Sequence, residues 1–445
     1  MQVSIIGTGY VGLVTGACFA EKGHQVLCVD IDPLKVDKIN QGIAPIYERG
    51  LDELLQNNIN LRLKATTDLR QAVLDTEISL IAVGTPFDGR EVDLTYVKQA
   101  AQQLGEALKE KSGYHVVVVK STVVPGTTDQ VVLPILEAAS GKKAGIDFGV
   151  GMNPEFLTEG EAVSDFMYPD RIVIGGIDSK SLDCLETLYQ EFAGVDVIRT
   201  NNSTAELIKY TSNSLLALLI SFSNEVGNLC AALGDTDVVD VMQGVHASRY
   251  LTTILPNGER IVPPITSFLA AGCGFGGSCL PKDVKALIAH GEKHGVPMPL
   301  LDAVIETNLK QPQKMLDLLK KHFPSLDGVR VTVLGLAFRP DTNDMRESPA
   351  IPIIRELVRQ GAVVNAYDPV ATHEAKKIFS PDSLTFSSSL PQALEEAQAV
   401  VLVTRWDEFR HVPDLLAKLD PQPVLIDGRR LLDKHQVAKY EGIGL

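Results

Sequence analysis

The chain has 445 residues, with 41 Lys and Arg against 56 Asp and Glu, and a formal net charge of −15. That length supports two to four domains, and 45% apolar with 22% charged residues excludes a largely disordered chain. The acidic balance speaks against a general nucleic-acid or anionic-membrane surface, while still allowing a local basic pocket for one phosphate ligand.

In chain order, an apolar strand over residues 3–6 leaves no room for a signal peptide. A helix over 13–21 follows, then strands over 26–29, 80–83 and 116–119, with a helix over 97–109 between the last two. These short β-branched runs are those of a parallel sheet buried on both faces, so a doubly wound α/β domain is expected up to about residue 200. Residues 204–232 carry apolar positions at helical spacing with no Pro and one Gly. They predict one long helix, or two nearly continuous ones, as a spine between domains and a surface for dimerisation. The longest unbroken apolar run, 215–220, is too short to span a bilayer. Residues 251–278 are rich in Pro and Gly and are expected to be loop, with a helix starting near Pro281. Strands over 329–334, 363–367, 400–403 and 424–426 predict a second α/β domain. The expected division is 1–200, 201–315 and 316–445. Six cysteines without metal-like spacing read as reduced thiols in the cytoplasm, and no metal site is expected.

GTGYVG at residues 7–12 follows a strand and opens a helix. Gly7 permits the tight turn, Gly9 lets a pyrophosphate approach the backbone, and Gly12 lets helix pack on strand. Asp30, at the end of the second strand, suits ribose hydroxyls and disfavours the extra phosphate of NADP, so NAD is the expected cofactor. Lys35 is either a solvated helix residue or a neighbour of that ribose. Thr85 and Thr122 lie in loops after strands, where open α/β sheets bind ligands, although their hydroxyls equally suit helix caps. If Pro154 is the first helical residue, Glu155 and Glu159 share a helix face, most simply as a solvated helix start. Lys209 and Asn213 are also four apart; they could hold an oxyanion, yet such a pair is usually surface. The sharpest feature is GFGGSCLPKD at 274–283, a flexible glycine run delivering Cys279 to a helix start. Helix amides and Lys282 favour a thiolate there, and Asp283 lies one turn on, placed to orient a water or a lysine. Cys18, Cys28, Cys184 and Cys230 read as small buried hydrophobes, and Cys273 is a weaker rival nucleophile.

Together these residues resemble the UDP-glucose/GDP-mannose dehydrogenase family over nearly the whole chain. The segments that carry the likeness are GTGYVG, VGTP, KSTVVPGTT, NPEFLTEG, ELIKYTSN, FLAAGCGFGGSCLPKD, LAFRPDTNDMRESP and DGRRLL. The resemblance implies an NAD domain, a helical region that forms a homodimer, and a C-terminal nucleotide-sugar domain. It implies oxidation of a sugar C6 alcohol to a carboxylate, with Cys279 as nucleophile, Lys209, Asn213 and Asp283 around the reacting carbon, and Glu159 and Thr122 assisting. Gly7, Gly9, Tyr10, Val11, Gly12, Asp30, Lys35, Thr85, Thr122, Glu159, Lys282 and Arg346 would contact NAD. Glu155, Phe156, Leu157, Thr158, Glu159, Lys209, Asn213, Phe268, Leu269, Ala270, Ala271, Gly272, Gly276 and Arg339 would hold the nucleotide sugar. Arg339 stands where many relatives carry lysine, Thr158 where they commonly carry arginine. Either Arg249 or Arg260 would be the arginine that reaches the partner subunit. FLAAGCGFGG resembles the UDP-glucose branch, whereas SGKKAGIDFGVGMNPEF and CLPKDV also resemble the GDP-mannose branch; the balance favours UDP-glucose. A two-electron hydroxyacid or alcohol dehydrogenase, and a non-catalytic nucleotide-sugar sensor, are the alternatives.

Overall fold

A computed structural model describes residues 1–380 and 383–445. The chain divides into two compact units, Met1–Ser212 and Asn213–Leu445. In the first, β1 (Gln2–Ile6), β2 (Gln25–Val29), β3 (Leu63–Thr66), β4 (Ile78–Ile81), β5 (Val116–Val119), β6 (Gly149–Met152), β7 (Arg171–Gly176) and β8 (Asp196–Thr200) form one sheet. Its order is β3-β2-β1-β4-β5-β6-β7-β8. Every pair is parallel except β6 with β7. The central strands β4 and β5 are buried along their whole length, β5 as an unbroken valine run and β4 with its one polar residue, Ser79, in a 2.6 Å hydrogen bond with the Ser4 hydroxyl. β4 lies two residues earlier than the sequence suggests. Val83 belongs to the following loop, where its carbonyl accepts a 2.7 Å bond from the Ser121 hydroxyl.

In the second unit, a two-stranded antiparallel hairpin, β9 (Thr253–Ile254) with β10 (Arg260–Ile261), and a 3₁₀ turn Pro264–Phe268 interrupt the stretch expected to be loop. The second sheet contains β11 (Arg330–Leu334), β12 (Val363–Tyr367), β13 (Thr385–Phe386), β14 (Ala399–Leu402), β15 (Val424–Asp427) and β16 (Tyr440–Gly442). It is all parallel in the order β13-β12-β11-β14-β15-β16. Both sheets are therefore Rossmann-like.

The predicted spine is one unbroken helix, Asn202–Leu233. Its most apolar 18-residue window has a mean hydropathy of 1.4 and is only 33% buried. By length and composition alone that is enough to cross a membrane, a property that core helices share, although its longest unbroken apolar run remains 215–220. Leu207, Leu215, Phe222, Leu229 and Leu233 remain exposed on it.

Candidate active site

The three glycines of the first turn have three different environments. Gly7 has φ +98°, and its N–H donates to Val29 O at 2.7 Å. A Cβ on Gly12 would lie 1.9 Å from Gly7 O, so helix Tyr10–Glu21 can sit this close to the strand only with glycine there. A Cβ on Gly9 would meet nothing within 4 Å, which leaves open space above the backbone, where a pyrophosphate would sit. Asp30 directly follows β2. Its Oδ2 accepts from Thr8 N at 2.9 Å and Thr8 Oγ1 at 2.5 Å, and its Oδ1 accepts from Asp32 N at 3.0 Å. Burial raises the Asp30 pKa, but these bonds and Lys35, 3.8 Å away, outweigh it and hold the carboxyl below its usual value. The result is an oriented carboxylate at the strand end. Tyr10 is engaged through its hydroxyl with Glu48, and Val11 is half-buried beside it. Thr85 and Thr122 are not helix caps: Thr85 Oγ1 donates to Thr122 O at 2.8 Å and ties two strand-end loops together.

The carboxylate segment departs from expectation. Residues 153–158 are irregular, and the next helix is Ala162–Met167, so Glu155 and Glu159 do not share a helix face. Glu155 accepts from Leu157 N at 2.7 Å, a side-chain bond to nearby backbone that competes with helix formation. Nor is Glu155 solvated. It is buried, with Oε1 3.0 Å from Lys209 Nζ. Burial raises its pKa, but Lys209, the bond from Leu157 N and lastly Lys120 pull it below the usual carboxylate range. Lys209 and Asn213, expected as a surface pair, are 3% and 8% exposed. Phe156 lies beneath Lys209, its ring centroid 5.5 Å from Nζ, and Arg171 lies 4.0 Å from the same ring. Thr158 N donates to Asp165 Oδ2 at 2.9 Å, and Leu157 is half-buried.

Lys120, not singled out by the sequence analysis, is buried and donates to Asn153 Oδ1 at 2.9 Å. Burial, opposed by Glu155 and helped by Lys209, depresses its pKa to about 8. Its sequence signal was a lysine ending a four-valine strand, where no solvent is expected.

In the second unit, the glycine run is packed rather than flexible. Gly274 and Gly277 have φ of +102° and +86°. A Cβ on Gly276 would fall 2.3 Å from Glu347 O, and one on Gly277 would fall 2.8 Å from the Phe338 ring. Close approach, not mobility, selects glycine. Cys279 is the half-buried N-cap of helix Leu280–Lys293, with Pro281 in its first turn and Ser278 Oγ 3.5 Å from Sγ. Asp283 is buried, accepting from Asn213 Nδ2 and from Lys282 Nζ, both at 2.6 Å. The structure thus groups Asn213, Lys282 and Asp283, and Asp283 N closes the turn onto Cys279 O at 2.8 Å. Cys273 is fully buried beside Val403 O and burial pushes its thiol up, as for a core residue. Cys184 is half-buried rather than buried.

Leu269, Ala271 and Gly272 are buried, Phe268 and Ala270 half-buried, and Gly272 N donates to Asn224 Oδ1 at 2.7 Å. Arg339 is half-buried. Arg346 is exposed and pairs with Asp344 at 2.7 Å, while its carbonyl accepts from Gly277 N at 2.8 Å. Arg249 and Arg260 are both exposed, Arg249 with its guanidinium 5.7 Å from the Tyr250 ring and Arg260 on β10.

A parallel sheet whose first strand runs into a glycine turn, with an oriented acid at the end of the next strand, defines the class of dinucleotide-binding Rossmann-like proteins. Known proteins narrow this class. The chain matches the UDP-glucose/GDP-mannose dehydrogenase family in its NAD binding domain over residues 1–193, central domain over 203–310 and UDP binding domain over 332–434. It is 43% identical to the UDP-glucose 6-dehydrogenase AglM of Haloferax volcanii, covering 100% of both chains. It is 39% identical to the GDP-mannose 6-dehydrogenase of Pseudomonas aeruginosa, again over 100% of both. The structure of a UDP-glucose dehydrogenase from the archaeon Pyrobaculum islandicum superposes with a TM-score of 0.89 at 37% identity, covering 99% of this chain and 97% of that one. The chain belongs to the UDP-glucose/GDP-mannose dehydrogenase family and is an NAD-dependent nucleotide-sugar 6-dehydrogenase.

Proposed function

We propose that the protein is a UDP-glucose 6-dehydrogenase that converts UDP-glucose to UDP-glucuronate through a covalent intermediate on Cys279. The observation that carries the covalent step is the setting of this thiol. It caps a helix N-terminus, which favours a thiolate, and it stands at the end of a loop whose glycines are fixed by packing.

Bound NAD supplies the hydride acceptor for both oxidations. Lys209 and Asn213, one turn apart on the same helix, hold the C6 oxygen as it gains negative charge. Loss of the hydroxyl proton and of the first hydride leaves an aldehyde. The Cys279 thiolate adds to it, forming the C–S bond of a thiohemiacetal, and loss of the second hydride leaves a thioester. A water held by Asp283 or by Glu159 with Thr122 cleaves that C–S bond and returns the thiolate. One alcohol, two NAD and one water become one carboxylate, two NADH and three protons.

UDP-glucose is favoured over GDP-mannose by the FLAAGCGFGG segment and by the higher identity to the UDP-glucose relative. Three regions, 1–200 for NAD, 201–315 for dimerisation and catalysis and 316–445 for the UDP-sugar, complete the reading. With them go a cytoplasmic homodimer joined through the exposed leucines of helix Asn202–Leu233, and Arg249 or Arg260 near the partner's substrate. NADH release with UDP-glucose and with GDP-mannose is the test. Two NADH per UDP-glucose is expected; turnover of GDP-mannose alone would transfer the same mechanism to that sugar, and one NADH per sugar would remove the covalent step.

A further inference from the structure

Glu48 lies between helices Pro33–Asn40 and Leu51–Asn58, in none of the segments that carry the proposed chemistry, yet it is one of the most heavily engaged carboxylates in the first unit. It is 6% exposed. Its Oε1 accepts from Ala162 N at 2.9 Å, and its Oε2 accepts from Gly160 N at 2.8 Å and from the Tyr10 hydroxyl. Gly160 N lies also 3.0 Å from the Tyr10 oxygen, which closes a ring of three groups. Tyr10 belongs to the pyrophosphate turn, between Gly9 and Gly12. Gly160 and Ala162 end the segment that begins at Glu155 and carries Glu159, and Gly160 itself has φ +91°.

These bonds join two segments 150 residues apart in sequence. The two amides are buried donors with no helix or strand partner, so without an acceptor each would carry an uncompensated desolvation cost. A surface loop could have left them to water; here a carboxylate has been brought in from a third segment. The Tyr10 phenol is pushed well above its ordinary value, by burial first and by Glu48 next, with a further contribution from the charge of Glu159. The phenol therefore remains a donor to Glu48, and Glu159 lies close enough to be felt across the ring.

We propose that Glu48 is a positioning residue for the dehydrogenase reaction: it fastens the segment that carries Glu159 to the turn that receives the NAD pyrophosphate. It touches neither substrate nor cofactor in this role. It acts through the backbone of residues 160 and 162, fixing where Glu159 stands relative to the cofactor end of the site. The inference rests on the proposed role of Glu159.

The test is a double-mutant cycle on the full-length protein with Glu48→Gln and Glu159→Gln, measured as kcat and KM for NAD and for UDP-glucose. A glutamine cannot offer acceptor oxygens to both amides and the phenol, so about a tenfold fall in kcat is expected, with KM for NAD changed less than about threefold. In the double variant the losses should not add, because Glu48→Gln has nothing left to misplace once Glu159 is replaced. Additive losses, or an unchanged kcat per folded molecule, would overturn the proposal. Wild-type activity in Glu159→Gln alone would instead remove the role given to Glu159, a separate and recognisable failure. Should Glu48→Gln not fold, Tyr10→Phe keeps both amide bonds and removes the third; the same non-additivity with Glu159→Gln is expected, and additivity overturns the proposal.

Discussion

The two sheets share a plan and use it differently. Six strands of each follow the same order, and each first strand is followed by a glycine at positive φ, +98° at Gly7 and +89° at Gly335. Each glycine donates to the carbonyl at the end of the next strand, Gly7 to Val29 at 2.7 Å and Gly335 to Tyr367 at 2.9 Å. Each second strand is followed by an aspartate, Asp30 or Asp368. Each aspartate also accepts from the amide after that glycine, Thr8 N at 2.9 Å or Leu336 N at 2.7 Å, and from the amide two residues beyond itself, Asp32 N or Val370 N, both at 3.0 Å. The differences lie around this shared bracket. Gly9 leaves space over the first turn, whereas Leu336 and Ala337 in the second are completely buried. Helix Tyr10–Glu21 starts at once after the first turn, while Ala350–Arg359 starts well after the second. Asp368 accepts from Leu336 N at 2.7 Å, Ala337 N at 3.1 Å and Trp406 Nε1 at 3.2 Å through one oxygen, and from Val370 N and Ala371 N through the other. It is a bracket for its own loop. Strand order puts an acid at the same place twice, and the loops differ in what surrounds it: Asp30 has Lys35 3.8 Å away, whereas Asp368 also holds Ala337 N, Ala371 N and Trp406 Nε1.

Chemistry at the thiol gives the comparison its largest expected effect. Cys279→Ala should lower kcat at least about 10⁴-fold while nucleotide-sugar binding persists, because the aldehyde would have no attacking group. Cys279→Ser should stall after attack, since an oxygen ester hydrolyses far more slowly than a thioester. NADH counting with mass spectrometry of the protein separates these outcomes, and two NADH per sugar at full turnover in Cys279→Ala would mean that the nucleophile lies elsewhere. The buried Cys273 shows what a merely packed cysteine looks like in the same segment.

A smaller effect is expected at Lys209→Met. Loss of one oxyanion donor lowers kcat by about 10²–10³-fold. The variant also strands Glu155, whose pair with Lys209 is buried on both sides, so stability should fall by about 3–5 kcal/mol. Chemical denaturation and steady-state kinetics on the same preparation read both. A Lys209→Met enzyme with ordinary kcat and lowered stability would make the pair structural only.

Much of this was legible in the sequence where the signal is local. The β-branched runs found eight of the fourteen sheet strands among the described residues to within two residues, missing β3, β6, β7, β8, β13 and β16, and GTGYVG with Asp30 found the strand–turn–helix and the acid at the next strand end, because each is a short segment whose backbone conformation its own residues dictate. Glu155 was misread because Pro154 also suits a helix start, and only the bond to Leu157 N and the buried Lys209 decide against it. The network of Lys120, Asn153 and Tyr189, whose hydroxyl donates to Asn153 Oδ1 at 2.6 Å, joins three distant positions and left no periodic trace. The glycines before Cys279 were visible, but their reason was not, since the atoms that crowd them belong to Phe338 and Glu347.

The smallest and most discriminating effect concerns the two aspartates. An ionised Asp30 at the ribose end should repel the extra phosphate of NADP, giving a preference for NAD of at least about tenfold, or ~1.4 kcal/mol. Asp30→Asn removes that charge and should reduce the kcat/KM preference about tenfold, chiefly by improving NADP. Asp368→Asn should leave the preference untouched, because its oxygens are turned to Leu336, Ala337 and Trp406 rather than outward. Replacing one oxygen by an amide there strands at least one buried N–H. Asp368→Asn should therefore cost about 1–3 kcal/mol of stability, seen as a lower midpoint in denaturant. The two variants are thus expected to separate cleanly, one moving selectivity and the other stability. Equal kcat/KM for both cofactors in the unaltered protein would defeat the reading of Asp30. A change of cofactor preference in Asp368→Asn would mean that the second sheet, not only the first, offers its acid to the dinucleotide.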